Sequence, residues 1–130
     1  MDKTRYQQQV AKTMGERELE DAVLEMAKAL GWLSFHALPA RSKDGGRWRT
    51  HQRGDVGFPD LCMVHPKTGK IAMFELKTEK GKPTAAQQSW LDALKGSCEA
   101  TVASGIWRPS DLLAGTIGET LAWGTKKGSR

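Results

Sequence analysis

Residues 57–77 read GFPDLCMVHPKTGKIAMFELK and contain the pattern on which the fold prediction rests. Two short apolar runs, Leu61 to Val64 and Ile71 to Lys77, flank the turn cluster Pro66-Lys67-Thr68-Gly69. Short apolar runs bounded by Pro, Gly and Thr are typical of strands that a turn connects. The stretch therefore predicts a β-hairpin.

The predicted hairpin brings three polar side chains together at neighbouring strand ends. Side chains alternate between the two faces of a strand, so Glu75 and Lys77 point the same way and Leu76 points the other way. The turn returns the chain so that Asp60 lies beside them. Glu-x-Lys alone is more often a solvent-exposed pair on a strand, but Asp60 at hairpin spacing favours a functional site.

Two carboxylates and one ammonium in this arrangement suit metal-dependent phosphodiester hydrolysis. Carboxylate oxygens are ligands of hard divalent cations such as Mg²⁺, which polarise a phosphodiester and lower the pKa of a bound water. A lysine orients or deprotonates that water, or neutralises charge on the phosphate. We therefore predict Asp60, Glu75 and the carbonyl of Leu76 as metal ligands, and Lys77 as a catalytic residue.

A helix is predicted before the hairpin. Thr13-Met14-Gly15-Glu16 has the spacing of a capping box, and Gly31 is placed to end the helix. The apolar residues between them recur at helical spacing and form one face: Leu19, Ala22, Val23, Met26, Ala27 and Leu30.

Further elements on both sides of the hairpin complete the predicted fold. Trp32 to Leu38 predicts a strand, and a long loop rich in Gly, Arg and Lys follows over residues 40–57. After the hairpin we expect a helix from Pro83-Thr84, a strand at Ala100 to Ala103 and a last helix from Pro109. This order requires both antiparallel pairing and a crossover helix, so the predicted class is α/β with a mixed central sheet flanked by helices.

Length and composition predict one soluble domain. The chain has 130 residues, of which 38% are hydrophobic. We expect a flexible N-terminal arm over residues 1–13, a single domain over 14–123 and a basic disordered tail over 124–130. No apolar run approaches the roughly 20 residues that span a bilayer, and the polar N-terminus lacks a signal core. These features predict a cytoplasmic protein with no membrane partner.

Positive charge is concentrated between the first two predicted strands. The net charge of the chain is +5, and the segment from residue 41 to 53 carries five basic residues against one acid, Asp44. Such a block predicts contacts with DNA phosphates, although a solvated loop with incidental charge is the alternative. The predicted contact residues are Arg41, Lys43, Arg47, Arg49 and Arg53.

Other candidate DNA contacts lie beside these residues and after the catalytic strand. Trp48 sits among the loop arginines, where an aromatic ring can stack on an unpaired base or fold back onto the core. Thr78, Lys80 and Lys82 follow the catalytic strand and are predicted to contact phosphates, with a solvated turn as the alternative.

Three motifs together resemble a known nuclease family. Gly57-x-Pro59-Asp60 followed by Glu75-x-Lys77 resembles the PD-(D/E)XK superfamily. Gln87-x-x-Trp90 on the following helix resembles its VRR-NUC branch, whose stand-alone members are small phage and bacterial proteins. The resemblance runs from about residue 16 to 111. It implies a mixed sheet flanked by helices and cleavage of DNA that depends on Mg²⁺ or Mn²⁺.

The resemblance also implies a glutamate ligand from the first helix. Glu16 and Glu20 lie on one flank of its apolar face. Relatives that resemble archaeal junction resolvases place the acid about three turns before the glycine that ends the helix. That spacing favours Glu20, with Glu16 in reserve because a capping role also explains it. Gln87 is predicted to point inward toward the catalytic groups, although a role in the Thr84 cap is the alternative.

We expect an endonuclease that selects branched DNA, such as a Holliday junction or flap, rather than a base sequence. Such enzymes usually act as homodimers, and four apolar residues are candidates for the contact: Trp107, Leu112, Leu113 and Trp123. The alternatives are a restriction-type or exonuclease activity, or a non-catalytic DNA-binding subunit of a phage replication or packaging complex.

Overall fold

The computed structural model describes residues 3–36, 40–41, 48–49 and 54–127. In chain order, the elements in these ranges are α1 (Lys3–Thr13), α2 (Glu16–Ala29), β1 (Leu33–His36), β2 (Ala40–Arg41), β3 (Trp48–Arg49), β4 (Leu61–Val64), β5 (Ile71–Leu76), α3 (Ala85–Leu94), β6 (Val102–Trp107), α4 (Pro109–Leu113) and α5 (Thr116–Gly124).

A four-stranded mixed sheet in the order β1-β4-β5-β6 organises the fold. Strand β4 pairs antiparallel with both β1 and β5, whereas β6 runs parallel to β5. Helix α3 makes the crossover between the two parallel strands, as such a connection requires. The predicted hairpin and the α/β class with a mixed sheet are therefore confirmed. Strands β2 and β3 form a separate antiparallel pair.

One face of the sheet supplies the hydrophobic core. Alternation along the strands directs the paired residues Leu61 and Phe74 to the same side, where helices α2 and α5 contribute apolar residues to the core. Trp107 belongs to this core, since it is 2% exposed and its ring stacks on Phe74 at a centroid distance of 3.7 Å. Trp107 is therefore not an exposed candidate for a dimer contact.

The chain end packs against the sheet instead of forming a tail from residue 124. A Cβ atom on Gly124 would lie 1.8 Å from the Trp32 ring, so only glycine fits there. The buried Lys70 ammonium donates to the carbonyls of Trp123, at 3.1 Å, and Lys126, at 2.5 Å. These contacts fix the chain through Lys126; residues 128–130 of the predicted tail lie outside the described residues.

The N-terminal region also differs from the predicted flexible arm. Residues Lys3–Thr13 form α1, and Ala11 is 2% exposed. The Thr13 hydroxyl bonds back to the carbonyl of Val10 at 3.0 Å, so it closes α1 and does not cap α2. The N-cap of α2 is Gly15, which has no side-chain cap bond.

Some predicted boundaries shift in the second half of the chain. The last strand is Val102–Trp107 rather than residues 100–103. The last helical stretch is divided in two at Gly115, whose φ of 86° is in the left-handed region that favours glycine. In the described parts of the chain, no helix has the length and apolar character that crossing a membrane requires.

Candidate active site

The β4–β5 hairpin places two carboxylates side by side. Leu61 pairs with Phe74, so Asp60, one residue before β4, lies next to Glu75 across the hairpin. The Oδ2 atom of Asp60 accepts a hydrogen bond from the backbone N–H of Leu76 at 2.8 Å. The structure therefore brings together Asp60 and Glu75, and a backbone hydrogen bond fixes the orientation of the first.

Glu75 is a buried carboxyl group in an unfavourable setting for negative charge. Its side chain is 1% exposed. Burial raises the pKa of Glu75 to about 9, and hydrogen bonding to Asp60 and the charges of Asp60 and Glu16 act in the same direction. The nearby ammonium of Lys77 lowers this pKa. Without a further cation the carboxyl is therefore protonated at neutral pH.

The Gln87 side chain both takes part in the Thr84 cap of α3 and points toward the catalytic groups. Its Oε1 accepts from the backbone N–H of Thr84 at 2.9 Å, and the Thr84 hydroxyl accepts from the Gln87 N–H at 3.1 Å, which completes a capping box. Its Nε2 donates to Oε1 of Glu75 at 3.0 Å. The cap of α3 thereby fixes the amide that orients one oxygen of Glu75.

The second oxygen of Glu75 fits a metal ligand. Glu75 Oε2 is buried and accepts no hydrogen bond from a donor in the described part of the chain. A buried oxygen of this kind next to the carboxylate of Asp60 matches what a hard divalent cation binds. Over the described ranges, no three His, Cys, Asp or Glu side chains are grouped closely enough to hold a metal. Backbone carbonyls and water, which Mg²⁺ commonly retains, would complete its coordination.

The two first-helix acids occupy different surroundings. The Oε1 atom of Glu20 lies 2.9 Å from Nδ1 of His36. Glu16 instead is close enough to raise the pKa of Glu75. The capping role that competed for Glu16 is absent, because Gly15 caps α2 without a side-chain bond. The effect of its charge on the pKa of Glu75 favours the reserve residue Glu16 as the first-helix acid of the site.

Arg108 holds the turn that follows the catalytic strand. Its Nη1 donates to the carbonyls of Thr78, Glu79 and Gly81 at 2.8, 3.2 and 2.6 Å. Glu79 Oε1 in turn accepts from the Ser110 N–H at 3.1 Å, at the start of α4. Nothing in the sequence pattern indicated this arginine, because its three acceptors are backbone atoms about 30 residues earlier.

The predicted DNA contacts are only partly described. Lys80 and Lys82 are exposed in the segment that follows β5. The Thr78 hydroxyl accepts from the Gly81 N–H at 3.1 Å, so it belongs to the turn. The other predicted contacts lie outside the described residues, or in β2 and β3 where the side chains are not described: Arg41, Lys43, Arg47, Trp48, Arg49 and Arg53.

The segment before Asp60 is fixed against α3. Gly57 has a φ of 95°, and a Cβ atom there would lie 2.5 Å from the carbonyl carbon of Ala86. Trp90 donates from Nε1 to the Val56 carbonyl at 3.1 Å. Phe58 makes an edge-to-face contact with the same indole at a centroid distance of 5.0 Å. Helix α3 therefore supports Asp60 through this segment and Glu75 through Gln87.

Comparison with known proteins identifies the family of the chain. Residues 1–107 match the family model described as "VRR-NUC domain". A solved structure titled "VRR_NUC domain" is 20% identical, with a TM-score of 0.49 over 78% of this chain and 92% of that chain. No curated protein matches the chain. Since the family model covers most of its length, the chain belongs to the VRR-NUC family of PD-(D/E)XK nucleases.

Proposed function

We propose that the protein is a metal-dependent deoxyribonuclease that hydrolyses DNA phosphodiester bonds at Asp60, Glu75 and Lys77. The observation that carries the proposal is the buried Oε2 of Glu75, which no described donor reaches and which belongs to a carboxyl group beside that of Asp60. A structural carboxyl group would be paired at both oxygens or exposed to water. A buried carboxyl group with one oxygen that no donor reaches is suited to bind a cation.

Each residue of the site has a distinct role in the proposed reaction. When bound, Mg²⁺ or Mn²⁺ supplies a positive charge that polarises the phosphodiester and acidifies water. Asp60 and Glu75 would hold this cation, and the Leu76 carbonyl would be a further ligand. Lys77 orients the attacking water or neutralises charge that develops on the phosphate. Gln87 keeps Glu75 oriented through its hydrogen bond to Oε1.

We propose further that the enzyme is an endonuclease selective for DNA structure, with junctions and flaps as substrates. Lys80 and Lys82 are exposed in the segment that follows the catalytic strand and suit phosphate contacts, which give affinity without sequence preference. The non-catalytic alternative is disfavoured because Asp60, Glu75 and Lys77 are all present. Restriction-type and exonuclease activities use the same three residues and are separated by the choice of substrate.

A panel of DNA shapes tests the proposed function. Purified protein is incubated with labelled four-way junction, flap, fork, duplex and single-stranded DNA, with Mg²⁺, Mn²⁺ or EDTA. We expect cleavage of the branched substrates with either metal and none with EDTA. Equal internal cleavage of duplex and branched DNA would contradict the structural selectivity. Stepwise release of end nucleotides would identify an exonuclease, and cleavage that persists in EDTA would contradict metal dependence.

The first-helix acid is tested by two matched substitutions. Glu16→Gln is expected to lower the cleavage rate about 10-fold to 100-fold and to raise the Mg²⁺ concentration needed for half-maximal cleavage. Glu20→Gln is expected to have a smaller effect because its carboxylate lies against His36. Cleavage rates over a Mg²⁺ titration measure both. A large loss in Glu20→Gln with normal Glu16→Gln would assign the ligand to Glu20.

We also propose that the protein acts as a homodimer. Leu33 and Phe35 are each 64% exposed, and Val64 on the paired strand is 37% exposed. Alternation places these three side chains on one face of the sheet, and contiguous exposed apolar residues are typical of interfaces. Sedimentation equilibrium measures the mass, and a monomer at micromolar concentration would contradict the proposal.

A further inference from the structure

Phe58 is an exposed aromatic residue in the motif that carries Asp60. Its side chain is 39% exposed, although the adjacent Pro59 is buried. Val56, two residues earlier, is 64% exposed. Exposed single apolar residues are common on proteins. A binding role for Phe58 and Val56 therefore has to be argued from where they lie and from what holds them in place.

The surrounding contacts hold Phe58 at the surface. Its ring packs edge-to-face on Trp90, at an interplanar angle of 82°. The same indole is bonded to the Val56 carbonyl at 3.1 Å, and Gly57 lies directly against the backbone of Ala86. The Phe58 ring is therefore held by its contact with Trp90 of α3, and the preceding backbone is packed on the same helix.

This aromatic surface lies next to the candidate active site. Phe58 is two residues from Asp60 in the chain. Trp90 is three residues after Gln87 on α3, which corresponds to about one helical turn, or roughly 5 Å. Gln87 bonds to Glu75. Adjacent turns of α3 thus contact Phe58, through Trp90, and the carboxyl group of Glu75, through Gln87.

We propose that Phe58, with Val56, forms a stacking site for an unpaired nucleobase beside the scissile phosphate, an inference that rests on the proposed function. A base presents a flat π-face that stacks on aromatic side chains without regard to sequence. The surface of Phe58 and Val56 is too small to bind a protein partner by itself, since a stable interface buries about 800 Å² per side. The exposed Lys82 lies four residues before Ala86 in the chain. Its ammonium group suits contact with phosphates of the DNA strand that carries the unpaired base.

The stacking site accounts for selectivity toward DNA shape. In a continuous duplex every base is already stacked between its neighbours, so binding to Phe58 would require unstacking. At a flap or fork, bases in the single strand next to the branch point are unpaired and available at lower cost. The site therefore favours strands with an unpaired base next to the cleaved bond over an uninterrupted duplex.

An abasic substrate combined with variants of Phe58 tests this inference. Affinity is measured in Ca²⁺ by fluorescence anisotropy on a flap whose base at the branch point is either present or removed. We expect Phe58→Leu, or removal of the base, to weaken binding about 10-fold each. Because both changes remove the same contact, their combination should cost no more than either one. Phe58→Trp should restore affinity, and Tyr6→Leu, at a 62% exposed aromatic on α1, should leave it unchanged.

The outcomes separate this inference from the proposed function. If Phe58→Leu binds the abasic flap with an affinity loss equal to the product of the two single losses, residue 58 and the base contribute independently. That result would overturn the stacking site. Unchanged affinity in Phe58→Leu would overturn it as well. Cleavage by wild-type protein in Mg²⁺ is measured in parallel, so failure of the nuclease proposal is recorded independently of the binding result. Circular dichroism and thermal melting confirm that each variant is folded.

Discussion

Asp60→Asn and Glu75→Gln are each expected to reduce metal-dependent DNA cleavage by about a thousand-fold. Both substitutions keep the size and shape of the side chain. Asparagine retains an oxygen that can accept from the Leu76 N–H, and glutamine fits the buried position of Glu75. What is lost is the negative charge that the cation requires. Single-turnover cleavage of a labelled branched DNA in Mg²⁺ measures the effect.

A matched control separates the loss of site charge from loss of any surface charge. Asp92→Asn removes an exposed carboxylate on α3, where it accepts a bond from Gln88 at 2.8 Å, and should cleave at the wild-type rate. The two site variants should retain binding to DNA, because the phosphate contacts lie elsewhere. Wild-type cleavage by either Asp60→Asn or Glu75→Gln would overturn the assignment of the catalytic centre.

The hairpin and its carboxylates were predictable because local signals specify them. Strand alternation and the turn at residues 66–69 fix which residues face each other, and the register Leu61 to Phe74 follows. The cap of α3 was equally local, since Thr84 and Gln87 are three residues apart. Patterns within a few residues therefore placed Asp60, Glu75 and Gln87 near one another.

Features that depend on distant packing were not predictable in the same way. Helix α1 has few apolar residues, and its burial of Ala11 depends on contact with the rest of the chain. The choice between Glu16 and Glu20 depends on where α2 crosses the sheet, since strand β1 provides His36 as the neighbour of Glu20. Tertiary context overrides local pattern in both cases.

The supporting residues of the site were also hidden from local patterns. Arg108 bonds to carbonyls about 30 residues earlier in the chain, and no side-chain motif marks such acceptors. Gly57 packs closely against α3, and this contact helps to leave the Phe58 side chain exposed. The sequence shows only that residue 57 is a glycine and does not show what it packs against. The chemistry of the site is therefore encoded locally, whereas the residues that hold it in place are encoded by the fold.

Stability should fall as the pH rises from about 5 toward 9 in the absence of metal, because of Glu75. The folded protein holds the Glu75 proton up to a pKa of about 9, whereas an unfolded chain releases it near its ordinary value of 4.5. Between these values the folded state binds more protons, so the free energy of unfolding decreases with rising pH. The stability that the protonated Glu75 carboxyl retains is fully present below the pKa of the unfolded chain, 4.5. It is lost as the pH rises through the folded pKa of about 9.

Glu75→Gln removes this titration and keeps the buried side chain. The variant should show a pH dependence shallower by on the order of 1 kcal/mol per pH unit over this range, and should be more stable than wild type at pH 8. Urea unfolding in EDTA at several pH values from 5 to 9 measures the difference. Glu18→Gln, at an exposed acid on α2, is the control and should follow the wild-type curve.

Metal binding should reverse the loss of stability at high pH. A divalent cation at Asp60 and Glu75 favours their ionised forms, so binding releases the Glu75 proton and becomes stronger as the pH rises. Mg²⁺ should therefore raise the melting temperature of the wild-type protein more at pH 8 than at pH 5, in proportion to site occupancy. The Glu75→Gln variant should show little of this stabilisation. An equal gain in both proteins would mean that the cation binds elsewhere, since only the wild type retains the buried acid that couples metal binding to the proton.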